Sequence, residues 1–260
     1  MIKILMVGDI VASAGRTAFA QAVTRMKHEG KVDFVVANAE NAAGGQGITG
    51  VLAGEILNAG ADVITLGDHT WDQKDLQAHL ERESRVIRPL NFAPGCPGKG
   101  FVTVKTQWGD ITVVNLIGRT FMRPYDCPFR AVDALLAKEG GLGRVIVVDM
   151  HAEATSEKVV IGRYLDGRVS CVAGTHTHVQ TSDEAVLPKG TAYITDLGMT
   201  GAKDSALGRD LKSVTNMFLT GMPSKWDTSR NDVVLEGMIA TIDETTERAK
   251  SVKRIREPVS

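Results

Sequence analysis

The chain has little that would tie it to a disulfide scaffold, a membrane or a polyanion. Its three cysteines, Cys96, Cys127 and Cys171, lie far apart and form no CxxC pair, which argues against a disulfide framework and a zinc ribbon. No stretch reaches the ~18 consecutive apolar residues of a membrane span. The opening MIKILMVGDI turns polar at Gly8-Asp9, too early for a signal peptide, so a cytoplasmic protein is expected. Neither sign of charge dominates: 30 Lys and Arg stand against 31 Asp and Glu. That balance disfavours an extended nucleic-acid platform and leaves room for a small anion at one local site. Linkers rich in Ser, Gly or Pro, internal repeats and low-complexity tracts are also missing, so residues 1–260 read as a single domain.

What is present is an alternation of short β-rich runs with longer helical ones. IKILMVG (2–8) is a near-continuous apolar run, the signature of a strand buried on both faces. Residues 15–28 place Ala18, Phe19, Ala22, Val23 and Met26 at helical spacing. VDFVVAN (32–38) and DVITLG (62–67) read as strands, with a helix over 49–59 opening at Thr49 as N-cap and another over 73–81. Past Pro89 two β-rich runs, GFVTVKTQ and DITVVNLIG, flank Trp108-Gly109 as an antiparallel hairpin. Helices over 130–138 and 156–165 and strands over 144–150, 168–174, 191–196 and 233–243 complete the reading. Parallel βαβ units followed by hairpins point to an α/β protein with mixed, stacked sheets and helices outside.

Polar residues concentrate where open α/β sheets build sites, just past the carboxyl ends of strands. In order these ends read Gly8-Asp9, Asn38-Ala39-Glu40-Asn41, Gly67-Asp68-His69, Asp149-Met150-His151 and Gly174-Thr175-His176-Thr177-His178. Four of the six histidines fall in these segments; His28 and His79 lie in helices and read as ordinary partly exposed residues. Imidazole, carboxylate and carboxamide without thiolate is a ligand mix for Mn, Fe or Zn. About seven candidates exceed what one ion needs and point to two ions sharing a carboxylate. Such a pair stabilises both oxygens of an in-line displacement at phosphorus and lowers the pKa of a shared water. Taken singly each segment has a plainer reading: Gly-Asp as a turn, NAENAAGGQG as a flexible loop, His151 as a buried structural histidine. Their joint recurrence at five strand ends favours the site.

The strings VGDIV, NAENAAGG, ITLGDHTWDQ, HAEATSEK, GTHTHVQT and ITDLGMTG, in this order from residue 2 to about 220, resemble the calcineurin-like metallophosphoesterases, and among them the YmdB-like bacterial phosphodiesterases. The resemblance implies a four-layer α/β/β/α sandwich with a dinuclear metal site. Carried over by position, it implies that Asp9, Glu40, Asn41 and His178 hold one metal. Glu40 would bridge to a second, completed by Asp68, His151 and His176. His69 would assist catalysis beside the metals, as phosphate clamp or as acid to the leaving oxygen. It further implies small phosphodiesters, 2′,3′-cyclic nucleotides above all, as substrates, and homo-oligomers.

Two positions depart from the pattern. The superfamily's first motif, Asp-x-His, is here Asp9-Ile10-Val11, with Asn41 the natural replacement, a variation the YmdB-like branch shares. That branch's usual Gly-Asn-His is here Gly67-Asp68-His69, adding a third carboxylate to Asp9 and Glu40. The extra charge holds metal more tightly, weakens it as a Lewis acid and repels phosphate; activity or metal preference is expected to shift. Arg119 and Arg123, in the loop GRTFMRPYDCPFR, are candidate phosphate contacts or plain surface charges. Thr155 or Ser156 is expected to cap a helix supporting His151, Asp72 to cap the helix after the 65–72 loop, Trp71 to pack that loop, and Cys171 to sit in the core. Two other readings compete. One is a regulatory or interaction protein that keeps the metal site with weak turnover. The other is a metal-dependent amidohydrolase, disfavoured because its His-x-His follows a first barrel strand and hairpins do not suit a (β/α)8 barrel.

Overall fold

A computed structural model describes residues 1–138, 140–225 and 227–259. The first half runs β1 (Ile2–Val7), β2 (Asp9–Ile10), α1 (Ala12–His28), β3 (Phe34–Asn38), α2 (Gly50–Asn58), β4 (Val63–Thr65), α3 (Leu76–Leu80) and β5 (Val86–Ile87). The middle holds the hairpin β6 (Phe101–Thr106) and β7 (Gly109–Ile117), then α4 (Pro128–Leu136), β8 (Val145–His151), α5 (Thr155–Tyr164) and β9 (Cys171–Thr175). Then come β10 (Ala185–Val186), β11 (Ala192–Ile194), β12 (Met199–Ala202), α6 (Leu211–Thr220), β13 (Val233–Ile242) and β14 (Ala249–Pro258).

These strands form two sheets. In one, β1, β3, β4 and β5 are parallel, with β13 antiparallel to β1. β12 and β14 both pair antiparallel with β13, and β2 adds beside β12. In the other, β7, β8, β9 and β11 are parallel, with antiparallel β6 and β10 at the edges.

The layering follows from the period of two along each strand, which sends successive side chains to opposite faces. In β1, Ile2, Ile4 and Met6 enter a core shared with Val145, Val147, Cys171 and Ala173 of the second sheet. Leu5 and Val7 turn the other way, onto Phe19 and Val23 of α1 and Ile56 of α2. On the far side Val114, Leu116 and Val148 pack under Val132 of α4 and Ile161 of α5. The result is helix, sheet, sheet, helix: the expected four-layer sandwich. It leaves no place for the (β/α)8 barrel of an amidohydrolase.

Thr49 does cap α2, its hydroxyl accepting from Leu52 N at 3.2 Å. Other boundaries differ. The helix expected over 73–81 is only Leu76–Leu80, because its first residues continue the 65–72 loop in successive turns. Neither Thr155 nor Ser156 caps α5; Ala154 takes the N-cap position, without a side-chain bond, and Thr155 is already helical. The strand β14 and the helix α6 were not apparent in the sequence. The first, AKSVKRIREP, is half charged and pairs with β13 across a register shift at Thr241/Ile242, which blurs its alternation.

Candidate metal centre

Both sheets deliver their polar strand ends to one rim. From the first come Asp9 beyond β1, Glu40 and Asn41 beyond β3, and Asp68 and His69 beyond β4. From the second come His151, the last residue of β8, and His176 and His178 beyond β9. Glu40, Asp68, His151 and His176 each offer one ligand atom, all within 4.8 Å of one another. His151 Nε2 lies 3.0 Å from Glu40 Oε1 and 3.1 Å from Asp68 Oδ1, and His176 Nδ1 lies 3.0 Å from that same Nε2. Beside this group, His178 Nε2 is 3.7 Å from Asp9 Oδ1 and 3.3 Å from Asn41 Nδ2. The seven residues singled out as ligands thus adjoin, and the His69 ring lines the same cleft of about 440 Å³.

The backbone is shaped for this convergence. Gly67 is indispensable: a Cβ there would stand 2.3 Å from the His151 ring and 2.5 Å from Glu40 Oε2. His176 and His178 both take left-handed conformations, φ +97° and +60°, each costing about 1–3 kcal/mol for a non-glycine residue. The turn aims two imidazoles at the cleft. It is held by a buried ion pair, Lys158 Nζ to Asp196 Oδ2 at 2.7 Å. Lys158 also donates to Thr175 O and Thr177 Oγ1, and Asp196 Oδ2 accepts from both the amide and the hydroxyl of Thr177. Sequence reasoning missed this pair. HAEATSEK and ITDLGMTG contain both residues, but only the fold shows that they meet beneath the turn.

Hydrogen bonds also set the imidazole tautomers. The Thr175 hydroxyl donates to Asp149 Oδ1 at 2.7 Å, so it accepts from His151 Nδ1–H at 3.0 Å and leaves Nε2 with a lone pair facing Glu40 and Asp68. His178 Nδ1 faces the Leu207 carbonyl at 3.3 Å, again freeing Nε2. His176 Nε2 pairs with Glu153 at 3.1 Å and frees Nδ1. The segment after His151 therefore supports the His176–His178 turn more than His151 itself. Asp72 does not cap α3: its carboxylate takes His69 Nδ1 at 2.8 Å, orienting that ring. Trp71 packs the loop against Phe92, ring centroids 5.7 Å apart.

Arg119 does not reach this cleft. It lines a neighbouring cavity, and Arg123 is exposed outside both linings. His28 and His79 take no part in the cluster, and Cys171 is buried in β9, its thiol pushed up to about 12 by burial.

The electrostatics are those of a site that wants cations. Glu40 and Asp9 are fully buried, and each anchors one oxygen on a backbone amide, His69 N to Glu40 Oε2 at 2.9 Å and His176 N to Asp9 Oδ2 at 3.0 Å. Their other oxygens, Glu40 Oε1 and Asp9 Oδ1, are buried with no hydrogen-bond partner. A buried, anchored carboxylate with one bare oxygen facing an imidazole lone pair is costly unless a cation lies between them. Burial pushes the Asp9 carboxyl up, partly offset by His178 and His151. Burial opposes charge on His151, yet Glu40 and Asp68 overcome it and raise its pKa well above the ordinary range. Asp68 runs the other way: despite burial, the His151 and His176 rings beside it, when doubly protonated, hold it far below the usual carboxylate range. Protons on imidazoles here do what a bound cation would do, and the donor set fits transition-metal ions.

The YmdB-like protein family matches residues 5–255. The chain belongs to this family. Its relatives cover it almost completely: a Bacillus subtilis 2′,3′-cyclic-nucleotide 2′-phosphodiesterase is 44% identical over 97% of this chain and 96% of its own. Among solved structures, a hypothetical protein from Thermus thermophilus superposes with a TM-score of 0.93 at 39% identity, covering 99% of both chains. A phosphatase from Mycoplasma pneumoniae gives 0.92 at 32% identity, covering 99% of this chain and 93% of that one. The relatives named for an activity are thus phosphoesterases, and this YmdB-like chain carries a candidate metal-binding cluster at the strand ends.

Proposed function

We propose that the protein is a dinuclear-metal phosphodiesterase acting on small phosphodiesters, with 2′,3′-cyclic nucleotides as the characteristic substrates. The observation that carries this reading is the pair of buried, partnerless carboxylate oxygens, Glu40 Oε1 and Asp9 Oδ1, each facing imidazole nitrogen on a rim where seven ligand-type residues adjoin. The Bacillus subtilis relative, named for that activity and matching nearly end to end, supplies the substrate class.

Asp9, Asn41 and His178 would hold one ion, Asp68, His151 and His176 the other, and Glu40 both; Mn, Fe or Zn suits these donors. When bound, such ions neutralise charge developing at phosphorus and make a water nucleophilic at neutral pH. The protein's own groups do the rest. The His69 amide holds Glu40 in place, and the missing side chain at Gly67 leaves room for its carboxylate. The imidazole of His69, its Nδ1 held by Asp72, lines the cleft and serves as phosphate clamp or, when doubly protonated, as acid to the departing oxygen. One wall is apolar, Val214, Met217 and Phe218 of α6, at helical spacing i, i+3, i+4. Phe218 is 80% exposed, and a flat apolar ring in that position suits a nucleobase.

The test is metal analysis of the purified protein, then a panel of bis(p-nitrophenyl) phosphate and nucleoside 2′,3′-cyclic phosphates with each metal. Glu40→Gln is expected to lose both activities along with bound metal. Full turnover in that variant would remove Glu40 from the site. Metal-loaded wild type that hydrolyses no phosphodiester would leave a binding or regulatory role for the same cluster.

A further inference from the structure

A second cavity, of about 720 Å³, is lined by residues of 88–101 and 119–131, none of which lines the metal cleft, and nothing in the proposed reaction uses it. Arg88, Lys99, Arg119 and Arg130 all line it, and none of the four pairs with a carboxylate among the described residues. Only one acidic residue, Asp126, shares the lining. Arg88 is half-buried: its terminal nitrogens donate to the carbonyls of Pro89, Leu90 and Cys96, while its Nε is buried without a partner. The N-terminus of α4 opens here too, since Cys127, its N-cap, and Arg130 both line the cavity. Cys127 makes no side-chain cap, so the first-turn N–H groups are left for another acceptor. Four like charges around a helix N-terminus, with a single carboxylate in the lining and no ion pair to it, repel one another until an oxyanion arrives.

The remaining walls are aromatic. Tyr125 and Phe101 face the cavity, and Tyr125 is tilted on Phe92 at 5.1 Å, which in turn meets Trp71 of the 65–72 loop. Tyr125 is near enough to Asp68 and Glu40 for their charges to act on its phenol after burial. The cavity therefore adjoins the metal cleft through a row of rings.

We propose that this cavity is a second, separate nucleotide site, with the phosphate on the Arg88–Lys99–Arg130 cluster and the α4 N-terminus and the base against Tyr125 and Phe101. The ligand is either a free mononucleotide or one unit of a short RNA whose terminal phosphodiester enters the metal cleft. Occupancy of the cavity can be read without turnover. Metal-loaded protein is treated with iodoacetamide in the presence of a nucleoside 3′-monophosphate, a triribonucleotide or inorganic phosphate, and alkylation is followed at Cys127, in the lining, and Cys96, outside it.

Either nucleotide probe is expected to slow alkylation of Cys127, in the lining, about fivefold or more, and by more than it slows alkylation of Cys96, which lies outside the lining but touches Arg88. Saturation at lower concentration by the trinucleotide identifies RNA as the source; equal protection by the mononucleotide identifies the free ligand. The double variant Lys99→Glu/Arg130→Glu, at two exposed positions, should lose the protection while hydrolysing bis(p-nitrophenyl) phosphate within twofold of wild type. Absence of protection, or protection that survives the double charge reversal, overturns the proposal. Protection by inorganic phosphate alone, equal to that by nucleotides, overturns the base contact.

Discussion

Replacing Lys158 by methionine removes the cation facing the buried Asp196 carboxylate, and its consequences can be worked from the fold. Both side chains are 1% exposed and 2.7 Å apart. Removing one partner of such a pair typically costs about 3–5 kcal/mol, because the other charge is left uncompensated in a poorly solvated place. Asp196 keeps the Thr177 amide and hydroxyl and the Gly198 amide, which places the loss near the lower end. For a chain of this size that is a fall in Tm of roughly 6–12 °C. A second effect is local. Thr177 sits between two histidines in left-handed backbone, and loosening it lets His176 and His178 relax out of the cleft. The stabilisation that added Mn²⁺ confers on wild type should therefore shrink in Lys158→Met beyond what the Tm offset alone produces. Thermal unfolding with and without Mn²⁺ measures both. The double variant Lys158→Met/Asp196→Leu, with no charge left behind, should be more stable than the single one. A Lys158→Met protein within about 1 kcal/mol of wild type, or a double variant less stable than the single, refutes the reasoning.

Other consequences are separate. Asp68→Asn removes a carboxylate from the His151–His176 pair; weaker metal binding and a changed rate or metal preference are expected, read by metal titration and turnover side by side, and indistinguishable behaviour counts against the charge argument. Phe218→Ala should raise KM for nucleoside 2′,3′-cyclic phosphates on the order of tenfold, the scale of one base stacked on an aromatic ring, and leave glycerol 1,2-cyclic phosphate, which has no base, unchanged. Burial raises the Asp149 carboxyl from 3.8 to about 6, against the pull of His151. A raised folded-state pKa gives stability that is complete below 3.8 and lost as pH rises through about 6, about 3 kcal/mol at ~1.4 kcal/mol per pH unit. Chelated wild type should lose that stability between about pH 4 and 7, and chelated Asp149→Asn should not; parallel pH profiles refute it. In native protein iodoacetamide should modify Cys96 and Cys127 and spare Cys171 until unfolding, as mass spectrometry of the intact chain will show.

Much of the architecture is legible in the residues because burial imposes a period. The run IKILMVG reads as a strand buried on two faces, and Ile4 and Leu5 do enter different cores. The helical spacing of Phe19, Val23 and Met26 likewise identifies α1. Where the pattern weakens, so does the reading. α6 has no buried residue, and its apolar positions face a cleft instead of a core. Asp72 looks like a helix cap because Asp precedes an amphipathic run, but the helix starts later and the carboxylate goes to His69.

The candidate site divides along the same line. Which chemistry is available can be read along the chain, because imidazoles and carboxylates recur at strand ends and strand ends are one-dimensional features. Which of those groups meet depends on the stacking of the layers. Glu40 and His151 are more than a hundred residues apart and 3.0 Å apart in space, because two sheets present their carboxyl ends to one rim. The same stacking brings Lys158 beneath the His176–His178 turn and gathers four cations, none with a carboxylate partner among the described residues, around the α4 N-terminus. Contacts between layers leave no periodic trace along a chain; each depends on how the sheets are registered against one another, which follows from the packing of the whole core.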